Sequence, residues 1–335
     1  MAAMRVVVAV LGLGLLAAGC GGSGPGADPG QQSADPGVPA QKTFKIAFSQ
    51  CNSAEPYRTV QNDIFKRDVK KLGAGYELVI QDALQDNSKQ ISQIENIILQ
   101  GVDLLIVAPN EAAPITPVVK KAHDAGIKVI CLERNLVSPE YDMFVGADNV
   151  AIGRMAGEFV KQYLTEKQIA DPIVVEMKGL LGTKPQDERH QGAREHIDTV
   201  PGVKVIEEVA NWLQDEAKKR METLLQANPK IDVVYAHNDP MAIGCYLAAK
   251  DAGRDKEMIF VGVDGLGGQA GGVKKVMDGV LACTFIYPPC AAEALQYGVK
   301  LLNGESVPKE VILEPTKVTP ENAAEIYEQV TVGAT

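Results

Sequence analysis

Four apolar runs in this 335-residue chain end in side chains that could do chemistry. The densest is 231–244, IDVVYAHNDPMAIG. Ile231 to Ala236 read as a buried strand, closed by His237, Asn238 and Asp239. Pro240 then opens an apolar pattern of helical spacing, Met241, Ile243 and Leu247, so Asp239 reads as the helix N-cap. Residues 102–111, VDLLIVAPNE, repeat the design and end in Asn110 and Glu111. Residues 128–135, KVICLERN, end in Glu133 and Arg134, and 259–265, IFVGVDG, end in Asp264. In open α/β sheets ligands gather at the carboxyl ends of strands. One such junction alone would read as a turn and a cap; its repetition changes the odds. The two copies also run on in parallel, through AHDAG at 122–126 and AKDAG at 249–253. A repeat of this length points to two lobes of one βα architecture whose strand ends face a common cleft.

Three catalytic or cofactor readings compete with binding. Glu133 and Asp264 could form a glycosidase pair, but neighbouring arginines are expected to keep both ionised, leaving no general acid. The run GVDGLGGQAGG at 262–272 follows a strand, yet it fits GxGxxG poorly and reads as a glycine-rich turn. The histidines at 123, 190, 196 and 237 lack metal-ligand spacing. No metal, cofactor or catalytic residue is expected. Arg154 and Arg194 read as surface groups.

The elements that must position these residues alternate along the chain. Strands are expected at 44–49, 76–82, 143–146, 173–177, 203–209 and 280–286, besides the four above. Helices are expected at 56–72, around Ile91 to Ile98, from 147–149 onward with Ile152, Met155 and Phe159 on one face, and at 213–227, 291–302 and within 310–328. A Gly-rich loop at 179–183 leads into the polar helix start DERHQGARE. The alternation implies doubly wound parallel sheets with right-handed crossovers and leaves strand order open.

Composition narrows the class. The length suits two domains, and 46% hydrophobic residues can fill two cores. A net charge of −10 argues against a nucleic-acid partner, which needs a basic surface. Arg5 precedes an apolar run, Val6 to Leu16, too short to span a bilayer. LAAGC at 16–20 resembles the bacterial lipobox, which implies cleavage before Cys20 and a lipid on its thiol, with Ala17 standing where Leu is usual. Residues 21–42 hold Val38 as their one large apolar residue, so they cannot bury a core and read as a flexible tether. Residues 1–20 are thus expected to be a lipoprotein signal, and the protein to be exported and membrane-anchored at the periplasm or cell surface.

The body resembles the ribose- and galactofuranose-type periplasmic sugar-binding proteins, receptors of ABC importers. The motifs are FSQ with YR at 48–58, QGVDLLIVAPNE at 100–111, LER at 132–134 and VGADNVAIGRMAGEF at 145–159. DERHQGA at 187–193, YAHNDPMAIG at 235–244, VGVDG at 261–265 and MDG at 277–279 continue the series. The resemblance implies a type I periplasmic binding protein: α/β, two Rossmann-like lobes with parallel sheets joined by a three-segment hinge. It implies an N-terminal lobe of 43–146 plus 288–315 and a C-terminal lobe of 147–287 plus 316–335. It further implies ligand contacts from Ser49, Tyr57, Arg58, Glu133, Arg134, Arg189, Trp212, Asn238, Asp264 and Tyr287. Glu133, Arg58 and Tyr287 depart from the ribose-binding pattern and favour a related pentose, hexose or furanose. Such residues suit a sugar. Carboxylates accept from adjacent hydroxyls, Arg donates through a planar fork, and aromatic rings cover C–H faces.

The implied role is capture of a monosaccharide between the lobes and delivery to an ABC permease, the protein being a monomer. A sensory receptor for a chemotaxis or signalling partner is the alternative, and a carbohydrate-active enzyme a distant third. Beyond Cys20 there are cysteines at 51, 131, 245, 283 and 290. Cys131 and Cys283 read as buried thiols, and a Cys51–Cys290 disulfide is left open. Cys20→Ala is expected to move the mature protein from membranes into the soluble fraction, because one lipidated tether carries all the membrane affinity; unchanged membrane association in a fractionation assay would refute it.

Overall fold

The computed structural model describes residues 42–332. The apolar run, Cys20 and the tether up to residue 41 lie outside them. In chain order, the first lobe starts with β1 (Phe44–Gln50), α1 (Pro56–Leu72), β2 (Tyr76–Asp82), α2 (Asn87–Leu99) and β3 (Leu104–Val107). It continues through α3 (Ala112–Asp124), β4 (Lys128–Leu132) and β5 (Met143–Ala147). The second lobe follows with α4 (Asn149–Glu166), β6 (Ile173–Lys178), α5 (Lys184–Ile197), β7 (Lys204–Val209) and α6 (Gln214–Ala227). Next come β8 (Val233–Ala236), α7 (Asp239–Asp251), β9 (Ile259–Val261), α8 (Gly272–Met277) and β10 (Thr284–Ile286). The chain then forms α9 (Ala291–Leu302), β11 (Glu310–Leu313), β12 (Thr316–Val318) and α10 (Ala323–Val332).

The first sheet runs β11-β5-β4-β3-β1-β2, every pairing parallel. The second runs β7-β6-β8-β9, again all parallel. β10 pairs antiparallel with β12 and meets the β9 end through single parallel bridges, Val261 to Cys283 and Asp264 to Ile286. Parallel sheets are covered on both faces, which is why β3 (LLIV) and β8 (VVYA) are buried throughout. The edge strands β2 and β7 are only partly covered.

Both lobes use one strand order: β2-β1-β3-β4 in the first matches β7-β6-β8-β9 in the second. That agreement gives the sequence repeat a structural counterpart. It also sets a topological switch point beside β1 and β3 in one lobe and beside β6 and β8 in the other, where ligands bind in such sheets. The chain passes between the lobes three times: after β5, after β10, and between β11 and β12. α9 returns to pack on α1, β3 and β4, while α10 packs on α8. The expected strand at 280–286 is shorter, starting at Thr284, because 272–277 coil into α8 and Gly279 turns the chain at φ 71°.

Helices α4 and α5 approach closely because Gly153 and Gly192 face each other's backbone. A Cβ on Gly153 would meet the Arg189 carbonyl, and one on Gly192 the Val150 carbonyl. This contact carries α5, and with it Arg189, into the cleft. Gly153→Ala is expected to destabilise the protein by about 1–3 kcal/mol through overpacking, read as a lower urea midpoint with unchanged slope; an unchanged midpoint would mean the helices can part freely.

Candidate functional site

The loop after β1 brings Glu55 to the cleft, and the first turn of α1, opened by Pro56, brings Tyr57 and Arg58. The end of β4 supplies Glu133, at φ 62°, and Arg134. From the second lobe come Arg189 on α5, Trp212 after β7, Asn238 after β8 and Asp264 after β9. These nine residues line one narrow cavity between the strand ends.

Buried charge governs the cavity. Arg58 Nη1 lies 2.7 Å from Glu133 Oε2, with both side chains buried, and Arg134 Nε lies 3.6 Å from the same oxygen. Arg134 Nη1 donates to the Asn110 carbonyl at 3.0 Å. On the facing lobe, Arg189 Nε donates to Asn149 Oδ1 at 2.9 Å and its Nη1 to the His237 carbonyl at 2.5 Å. The Trp212 ring has a guanidinium from each lobe, Arg134 at 5.6 Å and Arg189 at 5.7 Å. Arg58 Nε, Arg134 Nε and Trp212 Nε1 are buried donors with no hydrogen-bond acceptor among the described residues.

The expected site residues divide. Tyr57, Arg58, Glu133, Arg134, Arg189, Trp212, Asn238 and Asp264 line the cavity together. Ser49 is buried outside the lining, where its hydroxyl accepts from Gln90 Nε2 at 3.1 Å. Tyr287 also lies outside it, below Arg189, its hydroxyl accepting from the Ala147 amide at 3.0 Å. Glu55 lines the cavity and was not anticipated; Asn52 Nδ2 donates to its Oε1 at 2.7 Å. Its one sequence signal was an acid directly before the proline that starts α1.

The cap of α7 is Asn238, not Asp239: Asn238 Oδ1 accepts from the Met241 amide at 3.0 Å, and its Nδ2 donates to the Trp212 carbonyl at 3.1 Å. Asp239 is turned inward as the first helical residue. It accepts from the Gly265 amide at 2.8 Å and from the Thr284 hydroxyl at 2.6 Å. The glycine-rich run closes around this carboxylate, and a Cβ on Gly262 or Gly272 would strike it. Burial pushes Asp239 up to about 7. Asp264 is raised well above the usual carboxylate range by burial and then by the Asp239 charge, against the opposing pull of Arg189. The expectation that arginines hold Asp264 ionised is thereby corrected: desolvation and a like charge outweigh the guanidinium.

Beneath the second-lobe wall, Glu176 is fully buried between His190 Nδ1 at 2.8 Å and His237 Nε2 at 3.0 Å. Burial alone would raise it, but the bonds from His190 and His237 hold it at about 2. Glu176, His190 and Glu207 bring ligand-type atoms within 4.8 Å of one another. Glu207, however, already pairs with Lys178 and Arg194, each at 2.7 Å, so this is an ion-pair network with its cations in place. Cys51 and Cys290 are free thiols, as are Cys131, Cys245 and Cys283, all buried. Arg154 is an exposed partner of Glu195.

Comparison with known proteins agrees with this geometry. Residues 46–306 match the model of the periplasmic binding protein domain. The chain is 30% identical over 297 residues to the galactofuranose-binding protein YtfQ of Escherichia coli (strain K12), covering 85% of this chain and 90% of that one. It is 29% identical over 270 residues to the ribose import binding protein RbsB of the same organism, covering 80% and 87%. Among solved structures, the fructose-binding periplasmic domain of a hybrid two-component system is 40% identical, with a TM-score of 0.81 over 87% of this chain and 95% of that one.

The raised Asp239 carboxyl has a signed consequence for stability. Its folded-state value, about 7, exceeds the ordinary 3.8, so the folded protein holds a proton that the unfolded chain has released. Stability from this group is complete below the ordinary value and is lost as pH rises through the folded one. Asp239→Asn can keep both hydrogen bonds and is expected to flatten the decline between about pH 4 and pH 7. Urea midpoints across that range test it, and an undiminished decline would assign the proton elsewhere.

Proposed function

The chain belongs to the periplasmic binding protein family, and from that premise we propose that it captures a neutral monosaccharide between its lobes and hands it to an ABC importer. The relatives are binding proteins, and so is this chain; it is not an enzyme. The observation that carries the sugar reading is the set of orphaned donors: Arg58 Nε, Arg134 Nε and Trp212 Nε1, contributed by both lobes to one small cavity. A buried donor without an acceptor costs about 1–3 kcal/mol, a cost that hydroxyl and ring oxygens would remove. The lining sets three guanidinium donors beside the Glu55, Glu133 and Asp264 carboxyls, the mix of donors and acceptors that the hydroxyls of a neutral polyol require. The Trp212 ring offers a surface for C–H groups. The galactofuranose- and fructose-binding relatives put sugars able to form furanose rings first among candidates.

In this reading the ligand bridges residues 43–146 plus 288–315 and residues 147–287 plus 316–335, and stabilises the closed arrangement a permease recognises. The protein acts as a monomer, exported and held at a membrane through lipidated Cys20. Ser49 and Tyr287 support the site from behind. A sensory role is the second reading, favoured by the two-component neighbour at 40% identity; adjacent permease and ATPase genes would decide for import.

The test uses D-fructose, D-galactose, L-arabinose and D-ribose on protein freed of bound ligand. At least one is expected to change Trp212 fluorescence saturably and to raise stability by about 2.7 kcal/mol at a hundredfold excess over its dissociation constant. Arg134→Ala and Arg189→Ala should fold normally and lose about 2–5 kcal/mol of affinity, at least about thirtyfold. Silence with every sugar would end the monosaccharide reading, and wild-type affinity in both variants would move the pocket.

A further inference from the structure

The strand end Asn110–Glu111 repeats Asn238–Asp239 in sequence but does not line the cavity. Its backbone and the Asn110 side-chain amide nitrogen are nonetheless hydrogen-bonded. Asn110 takes its amide to Gln90 Oε1 at 2.8 Å and gives its carbonyl to Arg134 at 3.0 Å. Its Nδ2 donates to Asn87 Oδ1 at 2.8 Å and to the Gln85 carbonyl at 3.3 Å. Gln85 is held at φ 62° in the β2–α2 turn, and its Nε2 crosses the cleft to the Asn211 carbonyl at 3.2 Å. Glu111 accepts from Asn87 Nδ2 at 2.6 Å, and directly after it the Ala112 amide crosses to the Gly182 carbonyl at 3.3 Å.

The receiving turn is unusual. Asn211 and Trp212 are consecutive non-glycine residues at φ 52° and 71°, a conformation disfavoured for residues with a Cβ. It places the Trp212 ring on the cavity. The Trp212 carbonyl is held by Asn238 from its own lobe, and the adjacent Asn211 carbonyl is held by Gln85 from the other. Two successive carbonyls of one strained turn are thus gripped from opposite lobes, each grip resting on one copy of the repeated strand end.

We propose that Gln85 is a positioning residue: its cross-cleft hydrogen bond to Asn211, backed by Asn110, fastens the Trp212 turn when the lobes meet and sets the rate at which a bound ligand leaves. The Gln85 bond forms only when the lobes are together, so it acts on opening and not on encounter. The release prediction rests on the sugar reading; a ligand-free measurement does not.

The test compares wild type with Gln85→Glu, which keeps the side-chain length but replaces the donor by an acceptor, and Gln85→Gly, which eases the φ 62° backbone while removing the side chain. Without sugar, hydrogen exchange at the Ala112 amide, the second cross-cleft bond, should be several-fold faster in both variants. Equal exchange in all three overturns the proposal. With D-fructose and D-galactose as probes, stopped-flow Trp212 fluorescence should show release about tenfold faster and association within about twofold of wild type. Unchanged release, or a loss confined to association, also overturns it. If neither sugar binds the wild type while Ala112 exchange still separates the variants, the monosaccharide reading falls for these probes and the fastening role stands.

Discussion

Buried charge must be paired, and this cleft buries three guanidinium groups. Arg58 and Arg134 share Glu133 on one lobe, while Arg189 on the other is held by Asn149 and a backbone carbonyl. Leaving any of them unpaired would cost far more than a typical contact returns. The surrounding structure serves that requirement. Glu133 accepts a left-handed backbone so that its carboxylate can reach both arginines. The α4–α5 contact, glycine against backbone, brings Arg189 in from the far side. The Trp212 ring between the two lobes' arginines is then the natural seam.

The support of the second-lobe wall is electrostatic as well as apolar. Glu176 lies between two histidines directly under it, and the His237 carbonyl above takes Arg189. Asp239 lies behind Asp264, wrapped by glycines; burial raises both carboxyls, and the Asp239 charge raises Asp264 further. One carboxylate is therefore held ionised and the pair beside it is pushed toward protonation, within a single lobe. The difference is the partner: hydrogen bonds from two imidazoles for Glu176, a like charge in a desolvated setting for Asp264.

Much of the fold was legible in the chain. Apolar runs of strand length, Pro56 and Pro240 at helix starts, and the paired AHDAG and AKDAG segments all mark the βα repeat that both sheets display. Eight of the ten ligand residues that the family resemblance implied line one cavity; Glu133, Arg134, Asn238 and Asp264 among them follow strand ends, which converge in parallel sheets. What local pattern alone could not show was which way a side chain turns at a strand end. Asp239 looks like a cap because it precedes a proline, yet Asn238 reaches the amide and Asp239 turns to Thr284, 45 positions along the chain.

The sequence by itself determined the parallel α/β class, the two-lobed repeat and the strand-end location of the polar residues, because these follow from hydrophobic period and turn chemistry within short windows. Tertiary structure decided the rest. Glu55 joins the lining while Ser49 and Tyr287 stand behind it. Asp264 is raised although an arginine is near. Asn110 serves the cleft mouth while its repeat partner Asn238 serves the cavity wall. Each of these depends on burial and on partners tens to hundreds of residues away, and desolvation and long-range pairing leave no mark in local spacing.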